Sequence, residues 1–387
     1  MKQTITSETI PIKLWLDDLT GEALQQARNL ANLPFAFHHI AVMPDAHVGY
    51  GMPIGGILAA DGMVVPNAVG VDIGCGMVAV KTSLQTIDHG ALKQVLQSIR
   101  ATVPLGFKHH QQPQPHETLP PLDGSLPIVE QEYDAARTQV GTLGGGNHFI
   151  EIQRGRDGAI WFMVHSGSRN LGFRVANHYN KLAISLSKRW QSAVPATWQL
   201  AALPLQSKEG HDYFREMSYC VAFARANRAS ICRQVQQALL DQVSTTITFA
   251  EPVDIAHNHA ALEEHFGKRV VVHRKGATRA GAGETGIIPG SQGSNSYLVR
   301  GTGNPESFLS CSHGAGRTMG RKQAQKNLDL DRERRRLDDQ GIIHALRGRR
   351  DLEEAAGAYK DIERVIANQQ DLVEIVEILS PLAVIKG

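Results

Sequence analysis

Short motifs rich in glycine, histidine and acidic side chains recur along this chain from residue 45 to residue 386. They are interleaved with segments that predict both strands and helices, so the sequence indicates a mixed fold of the α+β class. The alternation is too irregular for a doubly wound sheet or a (β/α)8 barrel. Because no repeat or linker separates the motifs, we expect residues 1–387 to form one domain built around one site.

The segment Val71-Asp72-Ile73-Gly74-Cys75-Gly76 places a carboxylate and a thiol three residues apart. Its glycines let the backbone turn tightly and leave the space above both side chains open. A hard carboxylate oxygen combined with a soft thiolate suits Mn, Fe, Co or Zn better than Ca or Mg. Asp72 and Cys75 are therefore candidate metal ligands.

Further glycine-bordered motifs present histidines. His148 follows three glycines, His165 ends an apolar strand, and the segment Asp254–His259 offers His257 or His259. Each histidine alone is more readily structural. Together with the carboxylate and thiol they suit two adjacent divalent ions bridged by the thiolate, and two ions beside glycine-rich anion sites suit phosphoryl transfer.

The motif His313-Gly314-Ala315-Gly316-Arg317 differs from the others. A neutral imidazole in this setting can attack phosphorus and form a covalent phosphoramidate, which divides one difficult transfer into two easier ones. The alternative is that His313 is a sixth metal ligand. Phosphate-binding capacity is added by basic side chains in the motifs, namely Arg169, Arg274, Lys275, Arg279 and Arg317.

Hydrophobic periodicity and turn residues predict the main elements. The predicted strands are Ile10–Trp15, His39–Met43, Gly56–Asp61, Met77–Thr82 and Trp161–His165. The predicted helices are Leu19–Leu33, Ala91–Ile99, Glu130–Arg137, Ala176–Trp190, Tyr219–Ser244 and Asp361–Ala367. Segment 108–127, rich in Pro, Gln and His, predicts a surface loop, and the charged run 328–340 predicts a solvated helix or, less readily, a phosphate-contacting face.

Composition limits the class of protein only loosely. A formal net charge of +2 neither supports nor excludes nucleic acid, because phosphate binding needs only a local basic patch. Four scattered cysteines in 387 residues predict a reducing compartment without a disulfide scaffold. The polar N-terminus and the lack of long apolar runs predict no signal peptide and no membrane span, hence a cytoplasmic protein.

The motifs together resemble those of the RtcB family of RNA-splicing ligases, of the bacterial type. The resemblance extends over nearly the whole chain in the right order, and it is carried by Pro44-Asp45-Ala46-His47, Gly70–Met77, Gly145–Phe149, His165–Arg169, Arg274-Lys275-Gly276 and His313–Arg317. It implies a single large mixed α/β domain of the RtcB type with a central metal-containing cleft.

The resemblance also implies a GTP- and Mn-dependent ligase that joins RNA 2′,3′-cyclic phosphate or 3′-phosphate ends to 5′-hydroxyl ends. His313 would become guanylylated, GMP would pass to the RNA 3′-phosphate, and the 5′-hydroxyl would then displace GMP. Two Mn ions would be held by Asp72, Cys75, His148, His165 and His257. His257 is preferred to His259 because Asn258 follows it, as in the family pattern.

The same resemblance assigns the nucleotide site. Asp45 would orient His313, Asn147 would hold a GMP phosphate oxygen, and Glu151 would accept hydrogen bonds from the guanine edge. Lys386 would donate to the guanine O6 atom and Tyr359 would stack on the base. The remaining nucleotide contacts would come from Ser291, Ser296, Gly314, Ala315, Gly316 and Arg317, and the RNA phosphates would contact Arg169, Arg274 and Lys275.

The chain is short for this family, and the region after Phe107 is compact. A compact region here could suit the end of a damaged tRNA or ribosomal RNA rather than a tRNA half. The sequence does not identify the RNA substrate or an activating protein. Two other functions are consistent with the residues. One is a dinuclear phosphoesterase acting on terminal or cyclic phosphates, which has no need of His313, Glu151, Tyr359 and Lys386. The other is an RNA-end-binding protein with a structural metal.

Overall fold

The computed structural model describes residues 1–19, 21–190 and 192–387. Its strands, β1 to β17, are Gln3–Ile5, Ile12–Leu14, Ala36–His47, Ile54–Ala60, Met63–Val64, Gly76–Lys81, Phe149–Gly155, Ile160–Ser166, Leu203–Pro204, Val253–Ala256, Asn258–His265, Lys268–Lys275, Ala277–Arg279, Thr285–Ile288, Ser296–Gly301, Ser310–Ser312 and Val373–Lys386. Its α-helices, α1 to α9, are Gly21–Ala31, Pro66–Val69, His89–Thr102, Pro127–Gln139, Arg169–Arg189, Lys208–Gln242, Arg321–Asn327, Leu330–Asp338 and Ile362–Ala367.

Two large sheets form the framework. The first has six strands in the order β1-β2-β3-β4-β12-β11, and the second has seven in the order β10-β6-β8-β7-β17-β15-β14. Only the β2–β3 pair in these two sheets is parallel, among the residues described. Antiparallel sheets with segregated helices confirm the predicted mixed α and β class.

The second sheet packs its two faces differently because side chains alternate along a strand. Ile160, Phe162 and Val164 of β8 pack against α3 and α6, whereas Trp161 and Met163 pack on the opposite side. His165 continues the second series. The alternation therefore turns His165 away from the helices, to the face that carries Trp161 and Met163.

The helices follow their apolar stripes. In α3, the buried residues Leu92, Val95, Leu96 and Ile99 recur at helical spacing, and the Asp88 side chain caps the N-terminus by accepting from the main-chain N atoms of the first turn. α6 runs for 35 residues and contributes to two of the hydrophobic clusters. It is the central helix of the fold.

All the predicted helices and strands are confirmed in type, but two helices begin more than one turn earlier than predicted. α5 starts at Arg169 and not at Ala176, and α6 starts at Lys208 and not at Tyr219. The first turn of each contains a glycine, a residue of low intrinsic helix propensity. In α6 this glycine is needed for packing, because a Cβ on Gly210 would lie 2.0 Å from the Pro204 carbonyl oxygen.

Other segments complete the comparison. Residue 20, inside the predicted helix Leu19–Leu33, lies outside the described residues. The predicted loop 108–127 has one short 3-10 turn, and Leu119 and Leu126 anchor it in the core. The charged run 328–340 contains α8. None of the helices that the structure describes combines the length and apolar character that crossing a membrane requires.

Candidate active site and metal centre

The candidate metal ligands come from separate segments that meet beside the second sheet. Asp72 and Cys75 lie in the loop between α2 and β6, His148 immediately precedes β7, and His165 is in β8. His257 is the single residue between β10 of the second sheet and β11 of the first. The chain crossing between the two sheets thus delivers His257 to the same point as the others.

The donor atoms of these side chains are close neighbours. Cys75 Sγ lies 3.3 Å from His148 Nε2 and 3.2 Å from His165 Nε2. Asp72 Oδ2 is 3.1 Å from His148 Nε2, and His257 Nε2 is 3.4 Å from His165 Nε2. A tetrahedral ion with bonds of about 2.1 Å separates its ligand atoms by about 3.4 Å. The observed separations fit such coordination.

The imidazoles are held so that their Nε2 atoms face the cluster. His148 Nδ1 donates to the Leu143 carbonyl oxygen at 2.9 Å, and His165 Nδ1 donates to the Asn147 carbonyl oxygen at 3.1 Å. Burial lowers the pKa of His165 and His257 well below the ordinary value, so both are neutral. Neutral imidazoles with free Nε2 lone pairs are the metal-binding form.

The acidic members of the cluster share their environment. Burial raises the pKa of Asp72, but the neighbouring His148 and the charge of Arg169 more than offset this effect, so the carboxylate is ionised. Burial, together with Asp72, raises the pKa of the Cys75 thiol well above its ordinary value. Divalent cations favour the thiolate. Cys75, in contact with both His148 and His165, has the position of a bridging ligand.

The alternative ligand His259 lies elsewhere. It faces Arg274 across the β11–β12 pair, where the charges of Arg274 and Glu263 act on it. The structure therefore brings His257 and not His259 to the cluster. The Asn258 side chain between them fixes the loop, because it donates to the Asp72 carbonyl oxygen and accepts from the main-chain N of Gly276.

Two buried polar residues of α6 support the metal-ligand loops. The Arg228 guanidinium donates to the carbonyl oxygens of Gly74 and Ser166, which follow Asp72 and His165, and is neutralised by Asp254. Asn227 Oδ1 accepts from the main-chain N atoms of residues 141 and 142, and its Nδ2 donates to the Ser166 side chain. The sequence interpretation missed both, although they are polar residues on an apolar helical stripe.

His313 is bound to Asp45. Asp45 Oδ2 accepts from His313 Nδ1 at 2.7 Å and from the His313 main-chain N at 3.1 Å. Burial raises the pKa of Asp45, but the charge and hydrogen bond of His313 outweigh it and keep the carboxylate ionised. The His313 ring centroid is 4.9 Å from that of His257. Because Nδ1 is engaged by Asp45, Nε2 is the ring nitrogen that faces a ligand beside the metal-ligand cluster.

A cavity of about 560 Å³ opens on His313. Its walls include most of the residues predicted to bind nucleotide: Asn147, Glu151, Ser291, Gly314, Ala315, Gly316, Arg317, Tyr359 and Lys386. Ser296 lies behind the wall, where its hydroxyl accepts from the main-chain N of Gly290 and from Gln153. The volume is within the range of small-molecule sites.

The cavity wall also contains a charge cluster around Glu354, which the sequence interpretation missed. Glu354 Oε1 accepts from Arg317 Nη1 and from Arg321 Nε, each at 3.2 Å. Tyr359 donates its hydroxyl to Glu354 Oε2, and Lys386 Nζ lies 3.9 Å from the same oxygen. Glu354 lies in a short 3-10 segment with no recognisable motif, so the sequence contained no signal for it.

A second buried carboxylate lies nearby. Burial raises the pKa of Glu151 to about 8, although Gln153 and Lys386 oppose the shift. The register of β7 and β17 explains the proximity, because Phe149 pairs with Lys386 and Glu151 with Val384. The long strand β17 was not predicted, and it carries Lys386 into the cavity.

The three basic residues predicted to contact RNA phosphates have different positions. Arg169 is partly exposed at the metal cluster, where it donates to Thr142 and to the Gly106 carbonyl oxygen. Arg274 is fully buried and forms a two-pronged ion pair with Glu263. Lys275 is buried and donates to the carbonyl oxygens of Tyr50 and Asn67. Arg274 and Lys275 have structural partners, so this geometry argues against their direct contact with RNA.

Comparison with known proteins decides the family. A family model described as tRNA-splicing ligase RtcB matches residues 26–123 and 122–387. The chain belongs to the RtcB family. The RNA-splicing ligase RtcB of Escherichia coli K12 is 36% identical over 409 residues, which cover 100% of this chain and 99% of the relative.

Archaeal and mycobacterial RtcB proteins are also similar. The tRNA-splicing ligase RtcB of Thermococcus kodakarensis is 32% identical, with 98% of this chain and 95% of the relative covered. The RNA-splicing ligase RtcB of Mycobacterium bovis is 32% identical over 94% of this chain and 100% of its own length. The RtcB resemblance that the motifs predicted is therefore confirmed.

Proposed function

We propose that this RtcB-family chain is an RNA ligase that uses GTP and Mn²⁺ to join a 3′-phosphate or 2′,3′-cyclic phosphate end to a 5′-hydroxyl end. The observation that carries the proposal is the position of His313. Its Nδ1 is bound to Asp45, while the ring lines a cavity of nucleotide size and lies beside the metal-ligand cluster. A phosphoesterase has no need of this arrangement.

Two Mn²⁺ ions fit the donor set. One ion would be held by Asp72, Cys75 and His148, and the other by Cys75, His165 and His257. This division places each pair of neighbouring donor atoms around one ion. When bound, the ions neutralise the negative charge of phosphate oxygens near His313 and so favour attack at phosphorus. Carboxylate, thiolate and imidazole together form a ligand set for a borderline cation.

In the first step His313 Nε2 attacks the α-phosphorus of GTP. An N–P bond forms and the P–O bond to pyrophosphate breaks. Asp45 accepts a hydrogen bond from His313 Nδ1–H, which keeps the ring proton on Nδ1 and leaves the Nε2 lone pair for the attack. The same carboxylate stabilises the positive charge that develops on the ring. The product is a histidine–GMP adduct.

In the later steps the RNA 3′-phosphate, after hydrolysis of any cyclic phosphate, attacks the GMP phosphorus and His313 regains its lone pair. The RNA 5′-hydroxyl then attacks the activated 3′-phosphorus, loses its proton and expels GMP. A phosphate monoester is a poor electrophile until it carries such a leaving group. Arg169, partly exposed beside Asp72, is the basic residue best placed to hold the RNA phosphate.

Guanine selection is assigned to the part of the cavity wall that contains Glu151, Tyr359 and Lys386. The Glu151 carboxylate would accept from guanine N1–H and N2–H, Lys386 would donate to O6, and Tyr359 would stack on the base. Asn147, Ser291 and the loop 314–317 line the remaining wall, whereas the buried Ser296 would act through the Gly290 main chain. Because the cavity wall draws on residues from His47 to Lys386, we propose that residues 1–387 act as one catalytic domain.

The biological setting is part of the proposal. The four cysteines are buried and unpaired, as expected in a reducing compartment such as the cytoplasm. RNA repair and tRNA processing are the corresponding roles.

A ligation assay tests the function. RNA with a 3′-phosphate end and RNA with a 5′-hydroxyl end are mixed with protein, Mn²⁺ and either GTP or ATP. We expect the wild type to give a joined product with GTP but not with ATP. We expect the His313→Ala variant to give no joined product with either nucleotide. Hydrolysis of a 2′,3′-cyclic phosphate without nucleotide, and without joining, would instead indicate the phosphoesterase.

A further inference from the structure

Phe107 is the most exposed large apolar residue among those that the structure describes. Its exposure is 101%, compared with 71% for Tyr50, the next in order. Single exposed apolar residues are common on protein surfaces, so the position of this ring and not its exposure alone carries the argument. Lys108 and His109, which follow it, are also exposed.

The loop that carries Phe107 is firmly attached. The Gly106 main-chain N donates to the Gly144 carbonyl oxygen at 3.0 Å, and Arg169 Nη2 donates to the Gly106 carbonyl oxygen at 3.2 Å. The Lys108 N atom closes a turn on the Leu105 carbonyl oxygen. Main-chain bonds on both sides therefore fix the backbone from which the ring projects.

These attachments also locate Phe107 at the candidate metal centre. Gly144 follows Leu143, whose carbonyl oxygen fixes His148 Nδ1. Arg169 is close enough to Asp72 and Cys75 for its charge to act on both. The exposed ring is thus one residue away from a contact of Arg169, the cation to which we assign the RNA phosphate.

We propose that Phe107 is a stacking subsite for a base near the single-stranded RNA end whose phosphate reaches the metal-ligand cluster. The proposal rests on the proposed ligase function. Proteins bind single strands by combining aromatic platforms for the bases with cations along the backbone. Phe107 fits this pattern because it follows the Gly106 contact of Arg169 and precedes the exposed Lys108. The positive charge favours RNA over a second protein surface as the occupant of the ring.

Replacement of Phe107 tests the subsite directly. We expect Phe107→Ala to bind single-stranded RNA with a 3′-phosphate about 5- to 100-fold more weakly, with Phe107→Trp close to wild type. RNA carrying 2-aminopurine at its terminal positions should lose fluorescence on binding to the wild type, because stacking quenches it, and lose much less with Phe107→Ala at saturating protein. Thermal unfolding should not change, since the side chain makes no core contact.

Phe266→Ala is a matched control. Phe266 is also exposed, but it lies in the turn between β11 and β12. The strand β11 separates it from His257, which is roughly 25 Å away at about 3.3 Å per strand residue. We expect the Phe266→Ala variant to bind RNA with the same affinity as the wild type.

Guanylylation with GTP and Mn²⁺ separates failure of this inference from failure of the proposed function. Normal guanylylation of Phe107→Ala together with weaker RNA binding supports the subsite. Normal guanylylation with unchanged RNA affinity and quenching overturns the subsite alone. Loss of self-association in Phe107→Ala with unchanged RNA binding also overturns it, in favour of a protein contact. No guanylylation of the wild type would contradict the ligase itself.

Discussion

Asp45 Oδ2 accepts two hydrogen bonds from His313, one from Nδ1 at 2.7 Å and one from the main-chain N at 3.1 Å. The first bond selects the tautomer in which Nε2 carries the lone pair. The second bond holds the main chain of His313 in position. Asp45 is fully buried in β3 of the first sheet, and His313 follows β16. The orientation of the His313 ring therefore depends on an acidic residue 268 positions earlier in the chain.

Asp45→Asn should separate positioning from folding. An amide can still bond to the ring, but it does not stabilise the charged ring, and it permits the tautomer with a proton on Nε2. We expect the guanylylation rate to fall about 10²- to 10⁴-fold. The measurement is single-turnover labelling with GTP. Asp61→Asn, which alters an exposed ion pair with Lys268, is the control and should react normally. A normal rate for Asp45→Asn would refute the role of Asp45.

Gly316→Ala should act through the same contact. Gly316 has φ of 72°, and a Cβ there would lie 2.1 Å from the Asp45 carbonyl oxygen. Left-handed backbone costs about 1–2 kcal/mol for other residues, and the collision would displace Asp45 from His313. We expect strongly reduced guanylylation, measured as above. Gly348→Ala has open space around its Cβ position and should leave the rate unchanged. Equal rates in both variants would contradict this explanation.

Arg228 is expected to link stability to metal binding. Arg228→Met leaves the buried Asp254 carboxylate without its partner, which costs about 3–5 kcal/mol of unfolding free energy. The double variant Arg228→Met/Asp254→Leu should recover most of this stability. It should still bind Mn²⁺ more weakly, because the carbonyl oxygens of Gly74 and Ser166 lose their donor.

Denaturant unfolding without metal and Mn²⁺ titration followed by electron paramagnetic resonance measure the two effects separately. Wild-type Mn²⁺ affinity in the stable double variant would show that Arg228 supports the fold alone.

Guanine binding should depend on pH through Glu151. Because burial raises the pKa of Glu151 to about 8, the carboxyl group of the free protein is protonated at pH 6–7 and is a poor acceptor for guanine N1–H. Binding of guanosine, which has no phosphate, should tighten about tenfold per pH unit as pH rises toward 8. Isothermal titration calorimetry measures this. Glu151→Gln should bind weakly with no such slope, and a flat wild-type profile would contradict the assignment.

Sequence motifs alone were sufficient to predict most of the side chains that the structure brings together at the candidate site. Asp72 with Cys75, and His148, His165 and His313, each stand beside glycines, so the residue type and its local setting could be read together. The choice of His257 over His259 came from the family pattern. Its structural cause, the crossing from β10 to β11 at residue 257, depends on strand pairing that single-chain periodicity does not reveal.

Other parts depend on packing alone. Arg274 and Lys275 looked like phosphate ligands because they are basic and precede a glycine, but pairing of β12 between β4 and β11 buries them. Glu354 and Arg228 act through contacts with residues distant in sequence. The first turns of α5 and α6 each contain a glycine, which weakens the local helical signal. In α6 the close approach of Pro204, which explains Gly210, depends on the folded chain.

The most direct test of the central claim is the intact mass of the protein after incubation with GTP and Mn²⁺, for the wild type and His313→Ala. The account predicts that the wild type alone gains the mass of one GMP and loses it again when RNA with a 3′-phosphate is added. An unchanged wild-type mass, or the same gain in His313→Ala, would contradict the assignment of His313 as the nucleophile.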